Sequence, residues 1–220
     1  IGFRGRQQSR FGHSKVIRDA PQEKIDAPIM KTQSEVLHEL ITQIESQKKF
    51  VEESFYYQSE EQLTAKISKI KWSAAQCFEH LNLCNAHYIN EIEKAMPQLK
   101  TAQKNLKYSA GLVGSYMIKS MRPYDGSVKN KMKTFKIVRP LAEREPGAIV
   151  KVQPVFTDFF ADLEAFKTIV TSLNGKNIQS VKVKSLVGNI IRFKVGDALL
   201  FIIGHNDRHI LQAVNALKGK

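Results

Sequence analysis

Apolar residues recur along this chain at spacings of three and four over four long stretches. From residue 34 the positions Val36, Leu37, Leu40, Ile41 and Ile44, then Phe50, Val51 and Phe55, fall on one face of an amphipathic helix of about 25 residues, with Ser34 expected as its cap. Ser59, followed by Glu60, Glu61 and Gln62, predicts a second, short helix start, because acidic residues suit the positive end of a helix. The clearest start is at Trp72: Ser73 and Gln76 form a capping box, and Trp72 is placed to pack against Cys77. A helix then runs over 72–96 until Pro97, and a less regular helical stretch reaches Met121.

Residues 122–154 break the pattern. Pro123, Asp125-Gly126, Pro140, Pro146-Gly147 and Pro154 punctuate a lysine-rich run that reads as a long crossover. Phe156, Phe159, Phe160, Leu163, Phe166, Ile169 and Val170 then predict a third long helix over 155–173, closed at Asn174-Gly175. Residues 176–195 alternate as strands do but fit a short helix and loop as well. A last helix is expected over 196–217. Four long helices with one long crossover make an all-α four-helix bundle the expected fold, with any cofactor or metal held between facing helices.

The ends and the composition refine this outline. Residues 1–29 have no helical period and no apolar core of a secretory signal, and are expected to be a disordered or non-native leader to a bundle domain over 30–220. The longest apolar run, Ala198 to Ile203, is far short of the roughly 18 residues of a membrane span, so no membrane partner is expected. Cys77 and Cys84 lie about 10 Å apart along one helix, too far for a disulfide. Nothing therefore asks for an oxidising compartment, and a cytoplasmic protein is expected.

The 220 residues carry a net charge of +13, which raises nucleic acid or an acidic surface as partners. The charge is uneven: residues 94–151 carry +10, whereas 30–93 carry −4. Within the basic part, Lys129, Lys131, Lys133 and Lys136 interleave with Phe135, a pattern that could contact phosphates and stack on bases. No nucleic-acid-binding motif accompanies it, so the segment reads first as a solvated loop over the bundle, and nucleic acid is the lesser expectation.

The histidines carry the candidate chemistry. His13 and His38 have no companion ligands nearby. His205 and His209 stand at i and i+4, on one face of the last helix, and could share an ion. Asn206 occupies the position where a zinc protease of the HExxH type needs its glutamate, which excludes that mechanism. His80 lies in the best-capped helix and could face the pair. Three imidazoles would leave a coordination position open, as catalytic sites do. Gln76 and Cys84, each four residues from His80, share its face as candidates for a fourth ligand or base, whereas Glu79 points elsewhere. His87 lies too far along the axis to join His80, and Asp207 and Arg208 are expected to face solvent or form salt bridges. Tyr88, Asn85 and Tyr116 are expected to pack in the core.

The strings KWSAAQCFEHLNLCNAHY and FIIGHNDRHILQAVNAL, with SEEQLTAKI before the first, resemble the DinB-like superfamily over about residues 32–217. In that family a Trp-Ser opening precedes a His-Leu in the second helix, and HxxxH lies in the fourth; the matching positions are Trp72-Ser73, His80-Leu81, and His205 and His209 with Gln212. The resemblance implies a DinB-type bundle in which His80, His205 and His209 bind a divalent metal such as Zn or Ni. It implies a hydrolase or a thiol S-transferase acting on a small-molecule substrate, in the latter case with a thiol cosubstrate. The alternatives are a non-catalytic, metal-stabilised protein and a module that binds nucleic acid or acidic surfaces. A homodimer is compatible with a small bundle of this kind.

Overall fold

The computed structural model describes residues 31–123, 134–145, 147–186 and 188–219. The expected leader and the lysines of the basic run from Lys129 to Lys133 lie outside the described residues, as does His13. Helices account for most of the described chain: α1 (Gln33–Phe55), α2 (Glu60–Thr64), α3 (Ala74–Ala95), α4 (Leu112–Met121), α5 (Leu141–Arg144), α6 (Val152–Ser172) and α7 (Val195–Leu217). The four long ones are those the apolar pattern predicts. They form the expected all-α bundle, with one small hairpin of β1 (Lys182–Ser185) and β2 (Gly188–Lys194).

Three starts are fixed by reciprocal capping boxes, in which a hydroxyl and a side chain three residues on satisfy backbone N–H groups that have no partner inside the helix. Ser59 with Gln62 opens α2, and Ser73 with Gln76 opens α3, as the sequence predicts. The first helix departs from expectation. Its cap is Thr32, boxed with Glu35, and Ser34 is already inside the helix. Two residues matter here because Tyr108 N–H donates to the Lys31 carbonyl and Gln33 N–H to that of Leu106, which pins the start of α1 to the chain that follows α3.

The order of contacts gives the bundle its directions. Lys48 pairs with Glu164 and Lys167 with Glu45, so α1 and α6 run antiparallel. Tyr88 meets Phe201, whereas His80, two turns earlier, meets His205 and His209, so α3 and α7 are antiparallel too. Phe78, near the start of α3, packs on Phe156 and Phe159, near the start of α6. Parallel neighbours need a long return connection, and the proline-broken crossover supplies it. Phe78, Leu81, Ile92, Phe159, Leu163, Phe166, Leu199 and Ile202 fill the interior without exposed surface.

The ambiguous stretch 176–195 is resolved as an antiparallel hairpin in register Val183 to Phe193. A two-stranded sheet is marginal by itself. This one is held because Val183 and Phe193 turn inward and Phe193 packs on Tyr88 and Phe201. The region expected to continue as a helix to Met121 is instead a 3₁₀ turn at Met96–Gln98 and an irregular stretch before α4. That stretch docks on the start of α7: the Asp197 carboxylate accepts from Tyr108 Oη and, at 3.1 Å, from Gly111 N–H. Gly114 leaves the room that this carboxylate uses, since a Cβ there would lie 2.9 Å from Asp197 Cβ.

Candidate metal centre

His80 projects from the second turn of α3, and His205 and His209 from successive turns of α7. The antiparallel packing of the two helices brings the rings together, with centroids 5.2 Å apart for His80 and His205 and 4.5 Å apart for each of the other two pairs. One nitrogen from each ring lies within 4.8 Å of the others, and among the described residues this is the group of such side chains that could hold a metal ion. All three residues are buried.

Burial sets their protonation. It pushes the His80 pKa down to about 4, although the Val138 carbonyl works against it. His205 and His209 are driven well below the ordinary histidine value by burial first, and then by their neighbours and the Arg208 charge. At neutral pH the site thus holds three uncharged imidazoles. A carbonyl only accepts, so the 2.5 Å contact of His80 Nδ1 with the Val138 carbonyl places the proton on Nδ1 and leaves the Nε2 lone pair free. That lone pair points at His205 Nε2, 3.4 Å away.

These features fit a metal ion. Nitrogens sharing a tetrahedral zinc at about 2.0–2.1 Å stand roughly 3.3–3.4 Å apart. His205 Nδ1 is buried without a hydrogen-bond partner among the described residues, so no hydrogen bond outside the group engages that ring. A carbonyl behind one ligand ring is also the usual way a protein fixes the tautomer that binds metal.

The other candidates are placed elsewhere. Gln76 Oε1 accepts from Ser73 N–H in the capping box. Cys84 Sγ lies 3.6 Å from His80 Nε2 but does not join the three-nitrogen group, and burial raises its pKa, so its thiol stays protonated. Cys77 is core, its thiol pushed up to about 12 by burial. Glu79 accepts from Leu141 N–H at 3.0 Å. His87 meets the Lys184 carbonyl on β1, and His38 is exposed on α1. Tyr88 and Asn85 are core, whereas Tyr116, expected to pack there too, is exposed.

Asp207 and Arg208 do not behave as solvent-facing residues. Arg208 is buried, and Asp207 accepts from Gln43 and Gln47 at 2.6 Å each, joining α7 to α1. The reason is that α7 is covered on three sides, by α1, α3 and α4, so it has little solvent face to offer. A groove of about 380 Å³ between α1, α2 and α6, lined by Val51, Phe55, Tyr56, Phe156 and Phe160 among others, includes none of the three histidines.

Sequence reasoning missed the part played by three residues. Trp72 turns its ring to the histidines, 5.0 Å from His80 and 5.9 Å from His209, and its indole N–H donates to Glu143 at 2.6 Å. Val138 and Glu143 both belong to the crossover, which therefore reaches the end of the bundle that carries the histidines. Nothing in their local sequence marks them; the Trp-Ser signature marks Trp72 without saying what it touches.

The profile of the DinB superfamily matches residues 43–213, which include Trp72 and all three histidines. No curated protein and no solved structure shows a match to the chain. Among the described residues no helix is long and apolar enough to cross a membrane.

Proposed function

The chain belongs to the DinB superfamily, and from that membership and its buried histidine group we propose that it is a metal-dependent enzyme whose ion is held by His80, His205 and His209. The observation that carries the reading is the convergence of three neutral, buried imidazoles with one nitrogen from each within 4.8 Å of the others, the Nε2 atoms of His80 and His205 3.4 Å apart, and one tautomer fixed by a backbone carbonyl. A divalent ion such as Zn or Ni bound there supplies a Lewis acid with open positions, able to activate water or to ionise a thiol cosubstrate. The protein holds the rings uncharged and oriented, and Trp72 covers one side of them. The reaction is hydrolysis or thiol S-transfer on a small molecule in the cytoplasm, and Cys77 and Cys84 serve as buried free thiols.

Metal analysis of the purified protein tests the ligands. We expect about one ion per chain, lost in His80→Ala and in His209→Ala and kept in His38→Ala, whose ring is exposed. Full metal content in the first two variants would refute the assignment. The reaction class follows from an electrophile assay with and without low-molecular-weight thiols: metal-dependent turnover that needs the thiol marks transfer, and turnover of esters or amides without it marks hydrolysis.

The depth of the site favours a second reading, in which the ion stabilises the bundle without turnover, since all three histidines are at most 8% exposed. Under that reading, metal would raise the melting temperature while both assays stayed silent.

A further inference from the structure

Three ties join the crossover to α3 and its leading tryptophan. The Val138 carbonyl meets His80 Nδ1 at 2.5 Å, the Leu141 N–H donates to Glu79 at 3.0 Å, and the Glu143 carboxylate accepts from the Trp72 indole at 2.6 Å. The first ends on a member of the histidine group, and the last on the ring that lies over two of its members. We propose that Trp72 and Glu143 are positioning residues of the metal centre, and that seating of the segment 134–145 and capture of the ion are coupled.

The physical argument starts from the carboxylate. A charged acceptor makes one of the stronger hydrogen bonds available to an indole N–H, and it holds the ring at one angle. That ring is nearly parallel to His209, at 27°, and so limits the tilt of the imidazole. Two residues of the same short segment then act on the same site: Glu143 through the indole, and Val138 by holding the proton of His80 on Nδ1. If the segment leaves, His80 loses its acceptor and can present the wrong nitrogen. An ion that needs Nε2 favours the seated segment, and by linkage the seated segment favours the ion to the same degree. Groups that orient metal ligands from behind typically change affinity by about 10–100-fold when removed.

The inference rests on the metal reading, and the test separates the two. Cobalt(II) is titrated into apo protein while its visible absorption, which reports ligand number and geometry, is followed. Hydrogen exchange of 134–145 is measured with and without the ion. Wild-type protein should bind one cobalt and show slower exchange in the segment when loaded. Glu143→Ala should bind about tenfold more weakly, with an altered spectrum and less metal-dependent protection. Glu143→Gln, which keeps an acceptor oxygen, should stay within about twofold of wild type. If Glu143→Ala lowers the apo melting temperature, Trp72→Phe, which keeps a ring and deletes the donor, carries the same expectation of weaker binding and lost protection. Wild-type affinity, spectrum and protection in Glu143→Ala would overturn the coupling while leaving the metal reading intact. Failure of wild-type protein to bind cobalt would overturn both.

Discussion

Asp162 sits on α6 with one carboxylate oxygen buried and without a hydrogen-bond partner among the described residues. Burial raises its pKa from 3.8 to about 7; Asn85 opposes the rise and Asp158 adds to it. The folded value lies above the unfolded one, so the stability this group contributes is complete below about pH 3.8 and is lost progressively as pH rises through 7. Asn imitates the protonated form without titrating. Asp162→Asn should therefore match wild type in urea unfolding at pH 4 and exceed it at pH 8. Parallel losses in the two proteins over that interval would show that Asp162 is not the source. The sequence places this aspartate in an amphipathic helix, but which face it takes against α3 depends on packing between helices that lie far apart in the chain.

Capping is the scale at which the sequence is most legible, because the boxes at Ser59 and Ser73 involve only residues three apart. The same logic fails for α1, where the tie between Lys31 and Tyr108 selects Thr32 over the equally eligible Ser34. Removing a capping hydroxyl costs about 1 kcal/mol, with a range of roughly 0.5–2. Thr32→Ala and Ser73→Ala should each lower stability by about that amount in denaturant unfolding, and Ser34→Ala should stay within about 0.5 kcal/mol of wild type. A loss in Ser34→Ala as large as that in Thr32→Ala would return the cap to Ser34. The histidine group is legible for a related reason. His205 and His209 are one turn apart, and the family signature supplies His80, so only the facing of two helices is left to the fold. Val138 and Glu143 carry no such signal. They lie 58 and 71 residues from the groups they touch, in a segment whose prolines give it no period to read.

At the scale of the whole molecule, the question is where the excess positive charge stands. Residues 94–151 carry most of it, and the structure brings the middle of that stretch to the histidines through Val138. Lys136 and Arg139 flank Val138, and Arg208 lies between the two histidines of α7. Glu79 and Glu143 accept from the neutral Leu141 N–H and Trp72 indole and so keep their negative charge, and Asp207 stands next to Arg208. A positive field at the end of the bundle that holds the candidate centre therefore requires Lys136, Arg139 and Arg208 to outweigh these acids, and it would add to that of any ion. Such a field concentrates anions and is screened by salt, with a Debye length of about 10 Å at 0.1 M. Metal-loaded protein should bind benzoate in preference to benzamide, which has the same shape without the charge, and the preference should shrink as salt rises. A carboxylate could prefer the ion alone, so the variant that decides is Lys136→Gln with Arg139→Gln. This double change keeps the ion and its histidines, and it should cut the preference several-fold and flatten its salt dependence. An unchanged preference would assign the selectivity to the ion and leave the basic crossover as connection only.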